Sequence, residues 1–138
     1  PPSKRNAAEF RSATRPFLED WLVAELAQRR YASSQLVIQE LLDDAPAEDR
    51  GMLTFYLAES YRKHDAPGER DKAAGLYAQA VALPGAPAAA WREHGFALAK
   101  TGNTVQARDA FQRYLSIAPQ AGDRAFVQRE LDKLGGTR

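Results

Sequence analysis

The stretch that most constrains this chain runs from Trp91 to Pro119, because its small and bulky residues fall at spacings that only two crossing helices satisfy. Trp91, Gly95 and Leu98 stand at i, i+4 and i+7, one face of a helix over 88–100. Glycine in mid-helix costs about 1 kcal/mol against alanine. The return expected at Gly95 is close approach of a second helix. Thr101-Gly102-Asn103 reads as a tight turn, with Gly102 free to take positive φ and Asn103 or Thr104 placed to cap the next helix. That helix is predicted over 104–117, with Ala107, Phe111, Tyr114 and Leu115 as its apolar stripe and Pro119 as its stop.

Trp91, Gly95, Ala107, Phe111 and Pro119 match in register the tetratricopeptide pattern W-x2-L-G-x2-Y…A-x3-F…P. His94 stands where that pattern has Leu, and Leu98 where it has Tyr. The unit therefore resembles a tetratricopeptide repeat. Two degenerate copies precede it. Ala73 and Tyr77 repeat Ala107 and Phe111 at a spacing of 34 each (107 − 73 and 111 − 77). Ser34, Ile38 and Pro46 align with Ala107, Phe111 and Pro119. The resemblance implies an all-α, right-handed superhelix (α-solenoid) of about three helical hairpins. Its repeats are expected at about 16–48, 49–87 and 88–121, followed by a capping helix at about 123–134 and a tail at 135–138.

In chain order, residues 1–15 read as a polar leader, with a short helix over Lys4 to Thr14 as one option and a frayed segment as the other. A helix from Pro16 to about Arg29 is predicted to turn Leu18, Trp21, Leu22 and Leu26 inward, and the next, over 32–43, Leu36, Ile38, Leu41 and Leu42. The second pair is predicted over 47–63 and 70–83, parted by a loop carrying Pro67-Gly68 and closed by Pro84-Gly85-Ala86-Pro87. In the last helix Phe126, Val127, Leu131 and Leu134 are expected to cover the flank of the third repeat, leaving polar residues outside, as the end of a stack requires. Together the modules should build one continuous apolar spine.

Composition narrows function by exclusion. Nineteen basic and eighteen acidic residues give a net charge of +1, which is no nucleic-acid signature. There is no cysteine, hence no disulfide or thiolate chemistry. No apolar run approaches the roughly 20 residues of a membrane span. No cofactor or metal is expected: two histidines 30 residues apart (94 − 64) make a poor zinc set, His64 reads as solvated at a helix end, and His94 as packed at a repeat junction. Neither zinc-protease, nucleophile-elbow nor phosphate-loop motifs occur, so the chain reads as non-catalytic. Without an initiator Met or a signal-like start, it reads as a piece of something longer.

As the resemblance implies, the first helix of each pair lines a concave groove that holds an extended peptide or a helix of a protein partner. By register, the groove residues are Glu19, Val23 and Leu26, then Phe55, Glu59, Arg62 and Lys63, then Arg92, Phe96, Ala99 and Lys100. Phe55 and Phe96 add aromatic area off the core stripe; each either anchors a partner or packs between repeats. Val23, Glu59 and Phe96 occupy the register where a carboxylate-gripping subtype would place Asn, which argues against that subtype. Two rivals stand beside the binding scaffold. One is an accessory domain of a larger bacterial envelope protein such as a zinc metallopeptidase, an analogy that favours the periplasm over the cytoplasm. The other is a self-assembly module forming a homodimer.

Overall fold

The computed structural model describes residues 15–135. Among them are a 3-10 turn (Arg15–Phe17) and seven α-helices: α1 (Leu18–Ala27), α2 (Tyr31–Leu42), α3 (Ala47–His64), α4 (Glu69–Val81), α5 (Ala89–Lys100), α6 (Thr104–Ile117) and α7 (Arg124–Lys133). No strand occurs among the described residues, so the all-α expectation holds. The helix considered over 4–14 lies outside them, as does the tail beyond Gly135. No described helix is long and apolar enough to cross a membrane.

Each helix packs on the next in sequence, most extensively α3 on α4 and α5 on α6. The α5–α6 crossing shows why Gly95 is glycine. The Phe111 ring lies over it, and a Cβ there would sit 2.7 Å from two ring carbons. The close approach is thus ring to backbone. In register with Gly95, Ala58 of α3 is fully buried, whereas α1 carries Leu22 at that place. Leu22 is itself fully buried, and α1 touches α2 and α3 only over short lengths.

A second close approach links the end of α4 to the start of α3. The Gly51 N–H donates to the Pro84 carbonyl at 2.9 Å. A Cβ on Gly51 would meet that oxygen at 2.4 Å, and one on Gly85, whose φ is +81°, would meet the Glu48 carbonyl oxygen at 2.0 Å.

Several faces differ from expectation. Trp21, Leu36 and Phe126 were expected inside but are exposed, at 36%, 66% and 47%. The α1 stripe is Leu18, Leu22 and Leu26, and the buried α2 stripe is Ser34, Ile38 and Leu41. Trp21 and Leu36 fall outside these i, i+4 rows. Phe126 meets Phe96 in a tilted contact, ring centres 6.0 Å apart, and is otherwise left to solvent on much of its surface. Asn103 occupies the cap position of α6 but makes no capping bond; its amide donates to Thr101 Oγ1 at 2.9 Å. The single apolar spine is also corrected. The buried residues form two clusters, one spanning α1 to α4 with Ala90, the other built on Phe111, Tyr114, Leu115 and Val127. Polar side chains at the α3–α5 junction separate them, as described next.

Candidate functional site

Between these clusters lies a cleft of about 620 Å³ formed by α3, α4 and α5. Its walls follow from helical spacing. On α4, Arg70, Ala74 and Tyr77 stand at i, i+4 and i+7; on α5, Glu93, Ala97 and Lys100 do the same. Short connections make α4 and α5 run in opposite directions, so both walls read charged, then alanine, then polar. Alanines at the middle leave volume that no side chain fills. Phe96 forms part of the wall and packs edge-on against Phe111, ring centres 5.0 Å apart.

The inner end is closed by a hydrogen-bonded constellation. Glu59, buried on α3, accepts from the Tyr77 hydroxyl and from Arg62 Nε and Nη2, the latter at 2.8 Å. Arg62 also lies 3.4 Å from Glu93 on α5. Glu93 in turn accepts from Arg92 at 2.9 Å, and Arg92 reaches Asp123 at 3.1 Å, just before α7. Tyr114 donates to the other Asp123 oxygen at 2.6 Å. Alternating carboxylates and guanidiniums therefore tie α3 to α7 across the gap between the two clusters. Burial, then the Glu59 carboxylate, pushes the Tyr77 phenol far above the ordinary tyrosine range, so it is a neutral donor. Burial disfavours the Arg62 charge, but Tyr77, Glu59 and Glu93 outweigh it and keep the guanidinium charged. A parallel contact holds α1: Tyr56 donates to Glu19 at 2.7 Å, and burial followed by that carboxylate raises its phenol likewise.

Replacing Glu59 with alanine is expected to cost roughly 1–3 kcal/mol, because Tyr77 and Arg62 lose their acceptor together. The lower half of that range is favoured, since the Arg62 side chain is 40% exposed and regains water. Urea unfolding of the variant measures it; an unchanged midpoint would mean the constellation is merely superficial.

Of the expected groove residues, Arg62, Phe96, Ala99 and Lys100 line this cleft. Leu26 and Phe55, each 4% exposed, are core instead. Phe55 is enclosed by Tyr56 and Tyr77, at ring-centre distances of 4.9 and 5.9 Å, and offers no surface to a partner. Glu59 is buried as the acceptor described above. Arg92 is turned toward Asp123 and stacks over Tyr114, 5.5 Å from its ring centre. Glu19, Val23 and Lys63 are exposed but do not line the cleft. Sequence reasoning missed the α4 wall of Arg70, Asp71, Ala74 and Tyr77, because it took only the first helix of each pair to face a groove. Arg70 itself is clasped by Asp65 at 2.6 Å.

The histidines stand apart from this arrangement. His64 Nδ1 lies 2.7 Å from Glu69, and its ring sits 5.5 Å from that of Tyr31. His94 packs near Trp91, with ring centres 6.1 Å apart; its Nδ1 has no hydrogen-bond partner, and burial lowers its pKa below the ordinary histidine value. Among the described residues no group of three or more His, Asp or Glu side chains could hold a metal ion. Comparison of the chain with protein-family models, with curated proteins and with solved structures gave no match.

Proposed function

We propose that this chain is a non-catalytic binding scaffold, a right-handed stack of three tetratricopeptide-like hairpins (α1–α2, α3–α4, α5–α6) capped by α7, which holds a peptide segment of a partner protein. Support for the repeat comes from positions that share a register. Ser34, Ala73 and Ala107, the small members, are 0%, 2% and 0% exposed, and Ile38, Tyr77 and Phe111, the bulky ones, are 0%, 2% and 1% exposed. The same pair of roles thus recurs on the second helix of each hairpin.

The observation that carries the function is the cleft itself: about 620 Å³, floored by alanines and walled by Phe96, between helices fixed by the Glu59–Arg62–Glu93 contacts. Its size lies within the roughly 300–1,000 Å³ of binding pockets in general. Rigid walls leave most of the ordering cost with the guest. A random peptide library displayed on phage and selected on the immobilised chain tests this. Selected peptides are expected to lose at least about tenfold in affinity on Ala97→Leu, which fills the floor with an apolar anchor's volume, while circular dichroism shows helicity retained. Failure to select any peptide, or binding indifferent to both Ala97→Leu and Phe96→Ala, would end the proposal.

A further inference from the structure

The charges around the cleft divide into spent and unspent. At the inner end Arg62 is bound to both Glu59 and Glu93. At the mouth, Arg70 is bound to Asp65 through two contacts, at 2.6 and 3.0 Å. Two lining side chains remain, Asp71 on the α4 wall and Lys100 on the α5 wall; neither makes a direct ion pair among the described residues, and Lys100 acts only at longer range on the Asp65 carboxylate that Arg70 already holds. Both are exposed. Each lies three residues toward the mouth from the alanine of its own wall, Asp71 from Ala74 and Lys100 from Ala97. The mouth thus offers one anion and one cation on opposite walls, each one helical turn from the alanine of its own wall.

Resting on the binding role proposed above, we infer that the guest is an extended segment carrying a large apolar side chain and, two residues along, a carboxamide, Asn or Gln. Three residues of helix rise about 4.5 Å. Side chains on one face of an extended strand repeat at roughly 6.8 Å, and the flexible stem of Lys100 covers the difference. An apolar side chain seated on the alanines therefore brings its second neighbour between Lys100 and Asp71. A carboxamide is the side chain that serves both walls, its carbonyl oxygen accepting from the ammonium and its NH₂ donating to the carboxylate. A carboxylate guest satisfies Lys100 but faces Asp71, and an ammonium guest does the reverse. The neighbour one residue along points to the opposite face and reaches neither wall.

The test uses fluorescein-labelled synthetic peptides of glycine and serine bearing a leucine and, two residues along, Gln, Glu or Lys, titrated by fluorescence polarisation. The wild-type chain is expected to favour Gln over both charged peptides. Asp71→Asn should then shift preference toward the Glu peptide, and Lys100→Met toward the Lys peptide, each by about three- to tenfold. Moving Gln one residue closer to the leucine should abolish its advantage. Peptides that bind and are lost on Ala97→Leu, yet ignore both charge substitutions, would overturn the carboxamide assignment and leave the groove standing. Peptides unaffected by Ala97→Leu would remove groove and assignment together. Both charged sites are exposed, so their variants test the idea without disturbing the core.

Discussion

Truncating Phe111 to alanine is expected to destabilise the chain by about 3–5 kcal/mol, the range for a fully buried aromatic whose space cannot collapse. The ring is 1% exposed, meets Phe96 edge-on and closes against the Gly95 backbone. Urea unfolding followed by circular dichroism reads the loss. A second substitution distinguishes this geometry from generic core loss. In the wild type, Gly95→Ala puts a methyl 2.7 Å from two Phe111 ring carbons and forces the ring aside. In the Phe111→Ala background the same methyl enters vacated space and adds the roughly 1 kcal/mol of helix propensity that glycine forgoes. Gly95→Ala should therefore change sign between backgrounds, a coupling a double-mutant cycle resolves. Equal effects in both would refute the ring-over-backbone contact.

Gly51→Ala should behave in the opposite way to most glycine replacements in helices. On propensity alone it gains about 1 kcal/mol. Here the new methyl would lie 2.4 Å from the Pro84 oxygen and 2.5 Å from the Ala86 nitrogen, both backbone atoms that no rotamer change can move. A net loss of about 1–3 kcal/mol is expected, with the Gly51–Pro84 hydrogen bond broken as the loop retreats. Gly75, where a Cβ meets nothing within 4 Å, is the internal control, and Gly75→Ala should stabilise. If the two substitutions have the same sign in thermal melts, the loop does not press on α3 as described.

The helices were legible in the sequence to within a residue or two because their ends are written locally. Pro46, Pro67-Gly68, Pro84-Gly85 and Gly102 each interrupt a 3.6-residue pattern, and the third pair was predicted at 88–100 and 104–117 against Ala89–Lys100 and Thr104–Ile117 observed. What covers a given face is not local. Trp21 is apolar, adjacent to Leu22 and three residues from Leu18, so periodicity could not exclude it; Leu36 lies two residues from both Ser34 and Ile38, on the other side of the helix, and only its apolar character put it inside. Phe55 was placed in the groove by register, but its burial depends on Tyr77, 22 residues on (77 − 55). Register likewise puts Glu59 in the groove, although it is buried. Arg62 is its i+3 neighbour on α3, but only the fold brings the Tyr77 hydroxyl to it. The α4 wall was missed because four ordinary residues, two of them charged and one alanine, carry no signal until α5 is set opposite them.

The division of the apolar core has a thermodynamic consequence. Ala73 and Tyr77 belong to the first cluster, whereas Phe96 packs on the second, and all three border the cleft. On the binding role proposed above, a guest held there would touch both halves of the molecule at once and be lost if they part. Its free concentration, relative to its dissociation constant, then sets how tightly the halves stay joined, adding about 2.7 kcal/mol at a hundredfold excess over that constant. Occupancy and cohesion become one linked equilibrium, so the melting temperature of the carboxyl-terminal half reports on the guest as directly as any titration.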